Sequence, residues 1–256
     1  MSVTAAIVQA GRASTRLPDK VRCELAGATV LHHVLTRCAA IPGVDVVCCA
    51  IPDDPGCDLL AADAEGAGAT VFRGSEADVL DRYHKAALAL GADIIMRVTS
   101  DCPLIDPVVC GDVLELYHSI GADYSCNTDP PSWPHGLDCE VLGADWLHRS
   151  AREASLPSHR EHVTQYVRNH RKARTANLPC PVANLAWHRW TLDSPDDLAF
   201  LSAIFARLPP GAEGWSWRRV LEIARAEPML NDLNAGHDRR EGLKKSQAED
   251  ARRSAG

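Results

Sequence analysis

A short apolar run, Ala5-Ala6-Ile7-Val8-Gln9-Ala10-Gly11, is followed by three cations within nine positions, Arg12, Arg16 and Lys20, set among the small residues Ala13, Ser14 and Thr15. An apolar run of this length, closed by a glycine, reads as a buried strand. A helix-like stretch begins near Thr29. Strand, small-residue loop, cations and helix together form a cradle for polyphosphate. Loop N–H groups take the phosphate oxygens, and side-chain cations offset charge that backbone dipoles alone cannot. At Ala10-Gly11 the missing Cβ of glycine lets backbone approach a phosphate closely. The same spacing also fits an ordinary βα turn with basic surface residues, and the stretch by itself leaves both readings open.

Two carboxylates about ninety residues apart have a matching setting. Asp101 follows an apolar run in Arg97-Val98-Thr99-Ser100-Asp101-Cys102-Pro103-Leu104-Ile105-Asp106. Asp193 ends another in Arg189-Trp190-Thr191-Leu192-Asp193-Ser194-Pro195-Asp196-Asp197-Leu198. An isolated carboxylate at the end of a buried strand is costly unless it meets a cation. Hard oxygen donors suit Mg²⁺, which usually takes one or two carboxylates plus substrate phosphates. Asp101 also fits a simple turn cap. The three aspartates of the second stretch also fit a helix N-terminus through its dipole, and Asp196 and Asp197 are read that way. In Phe72-Arg73-Gly74-Ser75-Glu76-Ala77-Asp78-Val79-Leu80-Asp81-Arg82-Tyr83, Gly74 and Ser75 open a helix where they could bond a base or ribose. Arg82 lies about two turns on and shares that face, unless it only pairs with Asp78. In Pro134-His135-Gly136-Leu137-Asp138-Cys139-Glu140, strand alternation puts Asp138 and Glu140 on one face. In Arg160-Glu161-His162-Val163-Thr164, Arg160 and His162 could bind an anionic acceptor, although a lone helical histidine is more often structural.

These stretches, in this order, resemble motifs of the cytidylyltransferases related to CMP-Kdo synthetase and acylneuraminate cytidylyltransferase, above all the spore coat polysaccharide biosynthesis protein F type. Ser14, Thr15, Arg16, Leu17, Pro18 and Lys20 match the signature A-R-x-G-S-T-R-L-P-G-K. Phe72–Tyr83 follows F-R-G-S-E-x-D-V-L-D-R-Y, and the Asp101 stretch follows R-x-T-G-D-C-P-L-I-D-P with Ser100 for glycine. The Asp193 stretch follows R-W-T-V-D-T-P-E-D-L, and the two remaining stretches follow P-D-G-L-D-V-E and R-E-H-V-T. The departures are Gly11 for arginine, Arg12 one place late, and Asp19 for glycine. The resemblance runs from about residue 3 to residue 200. It implies transfer of CMP from CTP to an acceptor oxygen of a sugar acid, sugar or phosphonate, with release of pyrophosphate. It implies Lys20, Arg16, Arg12 and Asp101 as catalytic residues. It implies a nucleotide site of Ala10, Gly11, Arg12, Ser14, Arg16, Lys20, Gly74, Ser75, Arg82 and Asp101, and Mg²⁺ on Asp101 and Asp193. Asp138, Glu140, Arg160, His162 and Arg189 fall to the acceptor side, and the enzyme is expected as a homodimer. Two alternatives are a glycosyltransferase of related fold, against which Asp101-Cys102-Pro103 lacks a D-x-D pair, and a non-catalytic nucleotide binder, which Gly11 and Asp19 motivate.

The elements that must position these residues alternate in type. Strand patterns at 44–51, 70–72 and 93–98 are interleaved with helical patterns at 59–67 and 76–90, and Asp106-Pro107 opens a helix as cap and first residue. Such alternation predicts βαβ units and a mostly parallel sheet with flanking helices, of the nucleotide-diphospho-sugar transferase type. Ligands then sit at the carboxyl ends of the strands. Further on, strands are expected at 137–142, 174–178 and 185–192, and helices at 144–154, 158–169, 194–207 and 217–226. Residues 1–235 are read as one domain with a small protruding subdomain at about 128–185, and 236–256 as a charged, frayed tail. The chain's 256 residues, 46% of them apolar, suffice for one sizeable core. A net charge of −7 argues against nucleic acid or a membrane surface as partner. No apolar run approaches the roughly 20 residues of a membrane span, and no signal peptide precedes the first strand. The ten cysteines include no C-x-x-C and read as reduced thiols in the cytoplasm.

Overall fold

The computed structural model describes residues 2–12, 16–211, 215–239 and 241–254. In chain order the elements are β1 (Thr4–Gln9), β2 (Glu24–Leu25), β3 (Ala28–Thr29), α1 (Val30–Ala39), β4 (Val46–Pro52), α2 (Asp58–Gly66), β5 (Thr70–Gly74), α3 (Val79–Leu90), β6 (Ile94–Thr99), α4 (Pro107–Ser119), β7 (Tyr124–Cys126), β8 (Glu140–Gly143), α5 (Ala144–Glu153), α6 (Pro157–Glu161), α7 (Gln165–Arg168), β9 (Thr175–Asn177), α8 (Pro195–Phe205), α9 (Trp217–Ala226) and α10 (Glu241–Ser254). Seven strands form one sheet in the order β5-β4-β1-β6-β8-β7-β9, with β2 and β3 a separate hairpin. β1, β4, β5 and β6 run parallel, and β8 is antiparallel to both β6 and β7. The mostly parallel sheet with helical flanks is the architecture that the alternating pattern predicts.

Strand alternation sorts the core. On β1, Ala6 and Val8 face a cluster with α1, α2 and α4, whereas Ala5 and Ile7 face one with α3 and α5. A third cluster gathers α8 and α9 around Trp133, Trp190, Trp215 and Trp217. These tryptophans are therefore core, whereas Trp187 is exposed. Helix starts follow the capping chemistry. Asp106 accepts from Val108 N at 2.9 Å ahead of Pro107, and Ser194 and Asp197 form a reciprocal capping box on α8. All ten cysteines are free thiols, mostly buried, and burial pushes the Cys48 thiol up to about 12.

Three expected elements are corrected. The helix expected over 158–169 is split into α6 and α7, because Val163 between them adopts φ 56°. The strand at 137–142 is reduced to β8, and 185–192 forms no strand but only an isolated bridge from Arg189 to His135. The expected subdomain supplies β8 and β9 to the main sheet. The tail contains α10, which lies against α6 instead of fraying, because polar contacts replace the apolar face it lacks.

Gly136 lies at φ 113°, and a Cβ there would come within 2.6 Å of the Trp190 backbone, where the two loops cross. A conformation reserved for glycine coincides with a backbone contact that cannot yield. Gly136→Ala is expected to lower unfolding stability by about 2–4 kcal/mol. Urea midpoints would show it, and an unchanged midpoint would refute the account.

Candidate active site

β1 and β6 are parallel neighbours at the point where strand order reverses, since β4 and β5 continue on the other side of β1. A crevice outside the carboxyl ends of such strands is where an open α/β sheet takes ligands. Asp101 leaves the end of β6 and Asp193 precedes α8, and one ammonium joins them. Lys20 Nζ donates to Asp101 Oδ2 at 2.7 Å and to Asp193 Oδ1 at 2.6 Å. Burial draws the Lys20 pKa down, but the two carboxylates outweigh it and raise it. Burial likewise pushes the Asp101 carboxyl up. The charge and hydrogen bond of Lys20, with the Thr99 hydroxyl, prevail and hold it well below the usual carboxylate range.

Both carboxylates are braced from behind. Thr191 Oγ1 and Leu192 N donate to the Asp101 carbonyl at 3.2 and 2.8 Å, tying the two loops together. Arg189 donates to Asp193 Oδ2 at 2.8 Å and to both oxygens of Asp197 at 2.8 and 3.0 Å. Asp197 is fully buried and also accepts from the Asp193 and Ser194 N–H groups. The expected acceptor role of Arg189 is not where the structure puts it. Its guanidinium is spent on Asp193 and Asp197 and positions the loop. Asp197, read from sequence as a helix-end charge, is the anchor of that loop.

A cleft of about 530 Å³ opens on one side of this pair, lined by Ala10, Gly11, Arg12, Arg16, Lys20 and Arg82, among others. Arg12 Nε donates to Asp19 Oδ1 at 2.7 Å, and its NH1 donates to the Gly56 carbonyl at 3.1 Å. Asp19 stands at φ 52°, a left-handed conformation that glycine takes freely and aspartate tolerates. The two departures, Arg12 and Asp19, are thus partners, and the added negative charge is met by the shifted arginine. Gly11 has ordinary backbone angles, and a Cβ would meet only Pro52, at 3.9 Å. Ser14 lies outside the described residues. Arg82 is 4% exposed, has no carboxylate partner among the described residues, and its Nε has no hydrogen-bond partner. A buried, unpaired cation facing a cleft is costly unless an anion arrives. Gly74 and Ser75 stand behind it: the Ser75 carbonyl accepts from Arg82 and its hydroxyl accepts from Asp78 N at 3.0 Å. The alternative Asp78–Arg82 pair is absent, because Asp78 takes Arg160 instead.

A second cleft, about 470 Å³, opens on the other side and shares Arg16, Thr99, Asp101, Asp193 and Gly242 with the first. Asp138, Glu140 and His162, three of the residues assigned from the resemblance to the acceptor side, line it. Glu140 pairs with Arg97 and accepts from the Tyr124 and Thr164 hydroxyls, each at 2.6 Å. Burial pushes its carboxyl up, but Arg97 and Arg168, with the two hydroxyls, bring it down to about 2. Burial lowers the His162 pKa, and its Nε2 lies 3.0 Å from Ser246 Oγ of α10. Arg160 is not in this cleft. Its guanidinium holds Asp78, the cap of α3, and the Ala151 carbonyl at 2.7 Å, because the break at Val163 turns α6 toward α3 and α5. Sequence reasoning missed Arg97, Arg168 and Arg239, which line the second cleft, and Glu241 and Lys245, which line the first. Arg97 lay inside a quoted motif, while the last three sat in the stretch read as a tail.

Comparison with known proteins agrees with this geometry. A family model described as Cytidylyltransferase matches residues 5–174, and the chain belongs to that family. Its relatives include the spore coat polysaccharide biosynthesis protein SpsF of Bacillus subtilis (strain 168), 33% identical over 208 residues, covering 78% of this chain and 85% of that protein. They also include a 3-deoxy-manno-octulosonate cytidylyltransferase of Acidovorax sp. (strain JS42), 32% identical over 171 residues, covering 61% of this chain and 62% of that enzyme. The fold is similar to a cytidylyltransferase structure from Leptospira borgpetersenii, with a TM-score of 0.85 and 26% identity over 93% of this chain and all of that one.

The Glu140 cluster carries a test by pH. Because the folded pKa (about 2) lies below the unfolded value, its stabilisation is complete above about pH 4.3 and is lost as pH falls through the folded value. Glu140→Gln is expected to cost about 3–5 kcal/mol at neutral pH by stranding Arg97. It is also expected to flatten the acid limb of the stability profile. Urea unfolding of both proteins across that range would check this, and parallel acid limbs would refute it.

Proposed function

We propose that this chain transfers CMP from CTP to an oxygen of a small anionic acceptor, releasing pyrophosphate. The observation that carries the reading is the shared wall: Asp101 and Asp193 stand where two clefts meet, so a nucleotide on one side presents its α-phosphate to an acceptor on the other. The acceptor oxygen attacks the α-phosphorus, the bond to pyrophosphate breaks, and the acceptor proton leaves to solvent or a neighbouring base. Such a transfer needs positioning and charge stabilisation more than covalent help. Arg16 and Lys20 face the departing pyrophosphate, and Arg82 offers a buried cation to the nucleotide. Arg12, held by Asp19, contributes at the rim.

Two hard carboxylates already sharing one cation form a donor set that fits Mg²⁺ completed by substrate phosphates. Asp101 and Asp193 would hold it, and the bound ion would polarise the α-phosphate and lower the acceptor's pKa. With the carboxylates so satisfied, the Lys20 ammonium is available to phosphate. Arg97, Arg168 and Arg239 around the second cleft are each paired with a carboxylate, and this alternation of donors and acceptors suits a hydroxyl-rich acceptor such as a sugar acid, the substrate class in the Acidovorax enzyme's name. The Arg12–Asp19 pair weakens the case for a non-catalytic binder, since Asp19 no longer stands as bare charge beside a triphosphate. No helix among the described residues is long and apolar enough to cross a membrane. The ten free thiols suit a reducing cytoplasm, and a homodimer is the assembly that the family resemblance supports.

The test is pyrophosphate release with Mg²⁺, each nucleoside triphosphate, and a panel of sugar-acid, sugar and phosphonate acceptors. Release is expected with CTP, lost on chelation, and lowered about 10²–10³-fold in Asp101→Ala. Release that is unchanged in Asp101→Ala, or a nucleoside diphosphate as product, would overturn the reading.

A further inference from the structure

α10 reaches the nucleotide cleft from a part of the chain beyond the family match, and its attachments are almost all polar. Asp250 Oδ1 accepts from Ser158 N at 3.0 Å, at the start of α6. Ser246, 2% exposed, donates to Glu161 Oε2 at 2.5 Å and meets His162 Nε2 at 3.0 Å. Lys244 pairs with Asp238 outside the cleft. Leu243 is only half-buried.

Its first two turns carry opposite charges into the cleft. Glu241 forms an ion pair with Arg16 at the solvent-exposed rim, and Arg16 also reaches Asp193 Oδ2 at 3.6 Å. Lys245, one turn on, lines the same cleft and has no ion pair or hydrogen bond among the described residues. The other cations of this wall divide in the same way. Arg12 is met by Asp19, and Lys20 by Asp101 and Asp193, while Arg82 and Lys245 have no carboxylate. A carboxylate on Arg16 occupies the place where a phosphate oxygen would be bound, and a second, unpaired cation stands beside it.

On the reading that this cleft takes a nucleoside triphosphate, we propose that Lys245 is a triphosphate-binding residue delivered by α10, and that Glu241 is the carboxylate which the triphosphate displaces from Arg16. The helix is then part of the site: it adds a second carboxylate to Arg16, beside Asp193, when no nucleotide is present and supplies a cation when one binds. Neighbouring residues on one helix should therefore have opposite effects, which a merely structural helix would not produce.

The test is calorimetric titration of the full chain with CTP and Mg²⁺, and separately with CMP. Lys245→Ala is expected to weaken CTP about tenfold, as for the loss of one charge-assisted hydrogen bond, and to leave CMP within about twofold. Glu241→Gln is expected to tighten CTP severalfold, and Lys244→Ala, on the same helix, to change neither. CTP affinity unchanged in Lys245→Ala, an equal loss for CMP, or weaker CTP binding in Glu241→Gln would each overturn the proposal. If the wild type binds another triphosphate instead of CTP, the cytidylyl reading falls, and the same comparison with that nucleotide decides on Lys245. If it binds none, both fall.

Discussion

The site depends on one ammonium held between two carboxylates about ninety positions apart in the chain. Taking a lysine and two aspartates out of bulk water costs several kcal/mol per ion, recovered only with good geometry and further hydrogen bonds. The structure meets both conditions. Lys20 reaches Asp101 and Asp193 at 2.7 and 2.6 Å, and the backbone of each loop is fixed by bonds that do not involve the lysine. Without Lys20, two negative charges would face each other across a cleft. With it they are held close together, the arrangement in which two carboxylates suit a divalent cation.

Behind this pair, the protein uses charge in closed pairs so that only a few groups are left for a ligand. Arg189 and Asp197 neutralise each other while aiming Asp193. Arg97 and Glu140 do the same on the acceptor side, with Arg168 and two hydroxyls completing the shell of Glu140. What stays unpaired is informative. Arg82 is buried with an unbonded Nε, and Lys245 is exposed at the other wall of the same cleft. A buried cation without a carboxylate is a cost that an anionic ligand can relieve, which singles out Arg82, whereas the exposed Lys245 stays hydrated.

The departures from the family signature have the same logic. Taken singly, Asp19 adds a negative charge to a phosphate-binding loop. In three dimensions Asp19 occupies the left-handed position that a glycine would fill and returns its carboxylate to Arg12. The net charge that the acid adds is cancelled where it arises.

The amino-acid sequence by itself determined the parallel half of the sheet (β1, β4, β5 and β6), the starts of α4 and α8 and the identity of the central residues. These are set by neighbours in the chain: alternation along β1, Asp or Ser before Pro at α4 and α8, and strand ends that leave Asp101 and Asp193 in loops. It also determined that Asp138, Glu140 and His162 belong on one wall, through motifs that the resemblance made readable. Tertiary structure alone decided the partners. Arg160 was drawn to Asp78 because Val163 breaks the helix, Arg189 turned inward to Asp197, and Asp19 met Arg12. Above all it placed α10, whose composition carries too little apolar surface to show in a hydrophobic pattern. Its position is set by side-chain hydrogen bonds to α6, contacts between residues more than eighty positions apart that no local periodicity encodes.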